Sequence, residues 1–381
     1  MIALTVAVLV FAVVGHTALF VLPINLLYGT RFRGWHVTTA RWILKGAIVV
    51  GPLLFLYYWG NALLRPIEEW NLPTALMAYL GVCEGFAAAL AYQTVCRWRR
   101  RTPGHELANH TQTLDVARVL GRKPCGTGSH WRLERLPFNQ IFQVDFIEKT
   151  FRLPQLPPAW DGLTILHVTD LHLCGTPDLE FYEQVLDRCA AEPADLLAIT
   201  GDILDSDEHY HWIAPLLHRL RWRLAAFAVL GNHDAWLDMP RIDKEIESAG
   251  IQILGGRWTT LEVRGEPLHV IGNEVPWGRP APDLSTCPPS GFRLCLSHAP
   301  DTLPWAKRNH IDLLLAGHTH GGQVRLPGFG PVLVPSTHSR RYDAGTFYEA
   351  PTLMYVSRGL GGTYPLRWNC RPEVTRLVLR R

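Results

Sequence analysis

Apolar residues dominate the start of the chain. The first thirty positions carry no Asp, Glu, Lys or Arg. MIALTVAVLVFAVVGHTALFVLPINLL is long enough to cross a hydrocarbon core, which takes about 20 apolar residues. Two further stretches follow: GAIVVGPLLFLYYWGNALL over 46–64 and NLPTALMAYLGVCEGFAAALAYQTVC over 71–96. A buried soluble helix rarely stays so apolar for so long. The pattern predicts a transmembrane region of about three helices over residues 1–101. A secretory signal is the competing reading of the first stretch. It calls for a basic start and a small-residue cleavage site, and no Lys or Arg stands at this start.

Basic residues set the expected orientation. Arg31, Arg33, Arg41 and Lys45 lie between the first two spans, and Arg97, Arg99, Arg100 and Arg101 follow the third. Between spans two and three only Arg65 stands, beside Glu68 and Glu69. The first loop and everything after the third span are therefore expected on the cytoplasmic side of a multi-pass inner (plasma) membrane protein. Glu84 falls inside the third span, where a carboxyl group is costly and often functional. The plainer reading is a helix contact, paired with a polar group such as His16.

Beyond residue 101 the pattern changes. TPGHELANHTQTLDVARVLGRK has loop character, HWRLERLPFNQIFQVDFIEKTFRL alternates as a strand does, and LPQLPPAW reads as a stiff connector. Residues 102–144 are read as linker and edge elements, and 145–381 as one domain. Within it, LTILHVT, DLLAIT, AAFAVL, FRLCLS and DLLLAG are short apolar runs of the kind that form buried strands. Helical spacing separates the first three, and MPRIDKEIESAG reads as a helix ended by Gly250. VRLP, TLMYVS and EVTRLVLR add later strands. This alternation, passing into clustered strands, predicts two sheets packed face to face with helices outside.

Each buried strand ends in polar residues. TDLH supplies Asp170 and His172, GDILD supplies Asp202 and Asp205, GNHD supplies Asn232, His233 and Asp234, SHAP supplies His298, and GHTH supplies His318 and His320. Loops at the carboxyl ends of strands converge on ligands in open α/β sheets. One such cluster means little; the ordered set is hard to explain by packing. Imidazole, carboxylate and amide oxygen suit divalent manganese, iron, zinc or magnesium. No cysteine stands in the clusters, against a structural zinc or iron–sulfur site. The donors outnumber what one ion with an open position needs, so two ions sharing a carboxylate fit the count, and paired metals suit in-line displacement at phosphorus. Asp170 and Asp202 leave such a centre positive, which attracts a phosphate and stabilises its developing charge.

Length and charge narrow the picture further. A chain of 381 residues has room for a core and an extra module. A net charge of +3 gives no reason to expect nucleic acid. The eight cysteines are scattered without a CxxC and are read as reduced, buried thiols.

These motifs, in this order, resemble the calcineurin-like metallophosphoesterases, and DGLTILHVTDLH, DLLLAGHTHGGQVRLP and YVSRGLGGTYPLRWNCRPEVTRLVL resemble their bacterial membrane-associated branch. The likeness covers roughly residues 145–381. It implies a four-layer α/β/β/α sandwich. It also implies that Asp170, His172 and His320 hold one metal, that Asn232, His298 and His318 hold the other, and that Asp202 bridges them. His233 then faces the substrate, with Asp234 orienting its imidazole. Asp205 is read as support for the GD turn. Arg358 and Arg371 are candidates for a phosphate or head group, with a structural ion pair the equal alternative. His167 is read as core, and His209 and His211 as a solvated helix face or a cap. The glycines Gly359, Gly361 and Gly362 are expected in tight turns, and Gly321 and Gly322 to bend the backbone and leave room for phosphate.

The leading reading is a membrane-anchored phosphohydrolase that cleaves a phosphoester or pyrophosphate bond with a metal-bridging hydroxide and two divalent ions, manganese first. Attachment to a bilayer favours a lipid-linked substrate, and the branch includes enzymes similar to UDP-diacylglucosamine pyrophosphohydrolases. A soluble phosphodiester or cyclic nucleotide stays open. The alternative is a membrane sensor or scaffold that binds a phosphorylated ligand without turnover, and a third is a transporter regulated by the phosphatase domain.

Overall fold

The computed structural model describes every residue except Met1, Arg33 and Ser129. The chain forms two compact units, residues 1–101 with 335–341, and residues 102–334 with 342–381.

The first unit is built on helices α1 (Ile2–Tyr28), α2 (Trp35–Leu63) and α3 (Thr74–Arg99), each long and apolar enough to cross a membrane. Leu53, Tyr57 and Tyr58 are exposed. Gly15 lets α1 approach the Cys83 backbone of α3, the close packing that small residues permit between membrane helices. His16 is held by both neighbours: Nδ1 lies 2.6 Å from the Tyr79 hydroxyl and Nε2 3.0 Å from the Ala47 carbonyl. It is therefore not the partner of Glu84, whose Oε1 is buried without a hydrogen bond. The second helix begins earlier than its apolar core, so Arg41 and Lys45 lie in its first turns. Arg41 stacks 4.0 Å over the Tyr28 ring and donates to the Leu27 carbonyl at 2.9 Å. Arg33, expected beside them, lies outside the described residues. Asn25 donates to the Ser339 hydroxyl at 3.2 Å, which joins α1 to the 335–341 segment of the same unit.

The second unit opens with β1 (Glu106–Asp115), the short α4 (Val116–Leu120) and β2 (Gln143–Arg152). Then β3 (Thr164–Val168), α5 (Leu179–Ala190), β4 (Ala194–Thr200), α6 (Tyr210–Leu217), β5 (Trp222–Val229), α7 (Met239–Ser248) and β6 (Gln252–Ile253) alternate. Next come β7 (Trp258–Val263), β8 (Glu266–Asn273), β9 (Phe292–Ser297), α8 (Leu303–Arg308) and β10 (Leu313–Ala316). The chain closes with β11 (Arg325–Leu326), β12 (Gly330–Pro331), β13 (Gly345–Glu349), β14 (Thr352–Val356) and β15 (Glu373–Arg380). One sheet has the order β1-β2-β15-β3-β4-β5-β6 and the other β13-β14-β10-β9-β8-β7, with β11-β12 a separate hairpin. Strands β3 to β6 are parallel, as are β8, β9, β10 and β14.

Side-chain alternation along these strands makes three apolar cores. On β4, Leu197 and Ile199 face Phe181, Ile213 and Ile246 of the helices, while Leu196 and Ala198 face the second sheet. On β9, Leu294 and Leu296 face the first sheet, and Cys295 packs with Leu303 and Ala306 of α8. The layers are therefore helices, sheet, sheet, helix, and strands buried on both faces read as unbroken apolar runs. Each fully buried Leu or Ile contributes about 1.5–3 kcal/mol.

The stretch read as loop before residue 123 is different. Residues 106–115 form an edge strand whose side chains are mostly exposed on both faces, so no alternation marks it. Pairing with β2 holds it, together with a nearly buried ion pair, Lys149 to Glu106 at 2.8 Å, and a Thr346 hydroxyl on the same carboxylate. The alternating pattern expected from residue 130 begins as a strand only at Gln143; before it lie a short 3-10 turn at Trp131–Arg135 and a loop. In that turn Glu134 points inward, where it accepts the Gly126 N–H at 2.9 Å, and burial pushes its pKa up to about 7. All eight cysteines are free thiols.

Candidate metal centre

The parallel strands end on one edge, and their ends carry the polar clusters. Asp170 and His172 follow β3, Asp202 and Asp205 follow β4, Asn232 and His233 follow β5, His298 follows β9, and His318 and His320 follow β10. The backbone there is unusual. Asp170, His172, Asp202, His318 and His320 have φ between 49° and 67°, the left-handed region that non-glycine residues avoid. For GHTH this explains how two histidines two apart reach different neighbours: β10 stops at Ala316, and both imidazoles leave from turn conformations rather than from one strand face.

Two donor groups result. In the first, Nε2 of His320 is 3.4 Å and Nε2 of His172 3.7 Å from Asp170 Oδ1, and the two nitrogens are 3.1 Å apart. In the second, His298 Nε2 is 3.1 Å from Asp202 Oδ2, 3.1 Å from His318 Nδ1 and 3.2 Å from Asn232 Oδ1. Asp202 Oδ2 also lies 3.5 Å from His172 Nε2, so one carboxylate oxygen stands between the groups. All of these side chains are buried or nearly so.

The donor chemistry fits divalent ions. His172 Nδ1 faces Asp205 Oδ1 at 2.7 Å, and His298 Nδ1 faces the Thr200 carbonyl at 2.7 Å. Each contact places the proton on Nδ1 and turns the Nε2 lone pair inward, the arrangement common around metal-binding histidines. Burial, then the neighbouring His298, pushes His318 down to about 3, so its imidazole is neutral. Burial alone would raise Asp170 and Asp202, but the surrounding imidazoles, chiefly His320 for the first and His298 for the second, hold both well below the carboxylate range. Burial likewise disfavours the His298 cation, yet Asp202 lifts it to about 9. A divalent ion displaces such protons when it binds.

His233 sits at the edge of the first group, with about a fifth of its side chain exposed. Its Nδ1 is 2.9 Å from Asp205 Oδ1, the same oxygen that His172 uses, and Thr363 donates to Asp205 Oδ2 at 2.7 Å. The expected contact from Asp234 is not made. Asp234 accepts the backbone N–H groups of Ile203, Leu204 and Gly231 at 2.8–2.9 Å, fully buried, and so braces two loops. Asp205, read as a turn support, is the residue that orients His233.

Other expectations resolve differently. Arg358 is engaged by Glu373 and, at 3.1 Å, by Asp145; Arg371 lies 3.7 Å from Asp145 and 3.2 Å from Gln143. A Cβ at Gly321 would strike Cys370, and one at Gly322 would strike Pro331, so these glycines make room for the protein itself. His167 is fully buried against Thr200, and burial pushes it down to about 4. His209 packs edge-on to Trp212, and His211 is exposed.

Three residues at the centre escaped the sequence reading. Arg367 is fully buried and reaches the His320 carbonyl at 3.1 Å and His320 Nδ1 at 3.2 Å. An arginine only donates, so unlike Asp205 and Thr200 it does not set the metal-binding tautomer. Trp236 lies on His233, ring centroids 4.4 Å apart, and Trp277 on His318 at 4.7 Å.

Residues 163–322 match the model of the calcineurin-like phosphoesterase family. The uncharacterized metallophosphoesterase YkuE of Bacillus subtilis (strain 168) is 30% identical over 246 residues, 62% of this chain and 86% of that protein. The chain belongs to the calcineurin-like metallophosphoesterases. It is also similar to the phosphodiesterase YaeI of Escherichia coli (strain K12), 32% identical over 223 residues that cover 56% of this chain and 81% of that one. A Bos taurus transmembrane protein with metallophosphoesterase domain is 28% identical over 254 residues, 59% of this chain and 54% of that protein. The metallophosphoesterase described here is thus a metal-dependent phosphoester hydrolase with membrane-associated helices.

Proposed function

We propose that this metallophosphoesterase binds two divalent ions and hydrolyses a phosphodiester or pyrophosphate bond in an amphiphilic, lipid-linked substrate at a membrane surface. The observation that carries the dinuclear reading is the position of Asp202 Oδ2 between His172 and His298. Asp170, His172 and His320 would hold one ion, and Asn232, His298 and His318 the other, with Asp202 shared. Two bound ions would polarise the phosphoryl oxygens and supply the attacking oxygen at neutral pH, with manganese preferred among metals that accept these donors.

The chain's own groups do the rest. Asp205 fixes His233 through Nδ1, which leaves Nε2 to hold a proton toward the leaving oxygen. Burial opposes the imidazolium, but Asp205 and Asp202 outweigh it and raise the His233 pKa. Trp236 against His233 and Trp277 against His318 would favour a substrate with apolar or planar groups beside the phosphate. A sensor that only binds leaves the oriented His233 without a task.

The assay uses the full chain in detergent with manganese, and it tests bis(p-nitrophenyl) phosphate, cyclic nucleotides and UDP-diacylglucosamine. We expect turnover that EDTA abolishes and manganese restores. No metal-dependent hydrolysis of any of the three would sink the proposal. The proposed orientation, with the catalytic domain in the cytoplasm, rests on the bias of Arg31, Arg33, Arg41, Lys45 and the Arg97–Arg101 cluster. A reporter fused after Arg101 should read cytoplasmic, and a periplasmic signal would reverse the topology.

A further inference from the structure

The segment between α4 and β2 presents an unusual outer surface. Phe138 is 85% exposed and adopts a φ of 62°, a conformation that bulky residues avoid. Leu136 beside it is 43% exposed. Arg132 and Arg135 are exposed and lie 5.4 Å and 4.5 Å from the Trp131 ring. Glu134 is the only acidic residue from 116 to 140, and it is buried. The acid therefore points in, and the bases and large apolar side chains point out.

This rim belongs to the neighbourhood of the centre. The N–H groups of Thr127 and Gly128 donate to the Gly175 carbonyl at 3.0 and 3.1 Å, just past His172. Asn139 donates to the Pro365 carbonyl at 2.7 Å, and the Gln140 N–H to the Arg367 carbonyl at 2.8 Å. His130 stacks on Tyr364 at 4.6 Å, and both line a cavity of 520 Å3 with Trp131, Arg132 and Leu133. Tyr364 follows Thr363, the residue that holds Asp205.

Aromatic and aliphatic side chains beside exposed basic groups are what the boundary of a bilayer accepts: rings and alkyl groups at the acyl edge, guanidinium groups among phosphates. We infer that residues 130–138 with Tyr364 form an interfacial membrane contact, in which Phe138 and Leu136 enter the acyl boundary and Arg132 and Arg135 meet anionic lipid headgroups. The contact presents the metal centre to substrate in the headgroup layer. This rests on the reading of the chain as an enzyme of lipid-linked substrates, and it adds the surface by which such substrates are met.

The test uses the full chain in nanodiscs of phosphatidylglycerol and phosphatidylcholine. Phe138→p-benzoylphenylalanine is irradiated beside Leu224→p-benzoylphenylalanine, a site 48% exposed near the start of β5, away from the strand ends that carry the centre. Lipid adducts should form at position 138 at least about tenfold more often than at 224, the contrast expected from burying a phenyl ring at an apolar boundary. Arg132→Glu and Arg135→Glu should each lower that yield about fivefold in phosphatidylglycerol. Manganese-dependent hydrolysis of bis(p-nitrophenyl) phosphate should persist in these variants, which shows that they fold. Absence of lipid adducts at 138, or adducts to protein alone, overturns the contact even where hydrolysis is intact. A yield indifferent to lipid charge overturns the role of the two arginines. Loss of hydrolysis in the unaltered chain would strike the enzymatic reading instead.

Discussion

Asp202→Asn should lower metal-dependent turnover by about a thousandfold or more. The substitution keeps size and one acceptor: Asp202 Oδ1 takes the His233 N–H at 2.8 Å, and an amide oxygen can do the same. It removes the charge on Oδ2, the atom 3.1 Å from His298 and 3.5 Å from His172. A shared carboxylate lost from a dinuclear centre should cost about 4 kcal/mol of transition-state stabilisation, which is a factor of roughly a thousand. Metal content measured by atomic emission should fall below two ions per chain. Wild-type kcat with wild-type metal content would remove Asp202 from the centre altogether.

The second large effect separates two aspartates. Asp205→Asn should reduce kcat by about a hundredfold or more, because it frees the imidazole that general acid catalysis needs in one orientation. It should also move the pH–rate profile. The Asp205 charge favours the His233 cation, so its removal lowers the His233 pKa. If activity needs the protonated ring, activity falls as pH rises through that pKa, and the falling limb shifts to lower pH in the variant. Asp234→Asn should act elsewhere. The side chain accepts three buried N–H groups, and an amide leaves at least one poorly matched at a cost of about 1–3 kcal/mol. Its melting temperature should drop by several degrees with the falling limb unmoved. A limb that moves with Asp234→Asn and stays with Asp205→Asn would exchange the two roles.

That pair also shows where reading along the chain stops working. Asp170, His172, Asp202, His298, His318 and His320 stood out as candidates because polar donors ending apolar runs have few other reasons to be there, and the fold gathers them into two groups. Asp234 follows His233 in sequence, and adjacency suggested contact. The chain turns at once into the 3-10 segment Asp234–Trp236, which aims the two side chains apart. Asp205 reaches His233 from another strand, and no local pattern encodes that. Arg367 is hidden for the same reason, since it meets His320 from a loop near the carboxyl end. Edge strand β1 was invisible because exposure on both faces erases the two-residue period. The three long apolar helices and the buried parallel strands were plain, because there a sustained apolar environment dictates composition.

The left-handed backbone at the strand ends has a wider consequence. Holding a non-glycine residue there costs about 1–2 kcal/mol, and five candidate ligands stand in that region. Glycine would relieve each of them. The thermodynamically easy path for this protein is therefore to become sturdier and inert, one ligand at a time. Histidine and aspartate in those places mark a fold that carries the tension of its chemistry in its backbone, as proteins do when activity and stability pull in opposite directions.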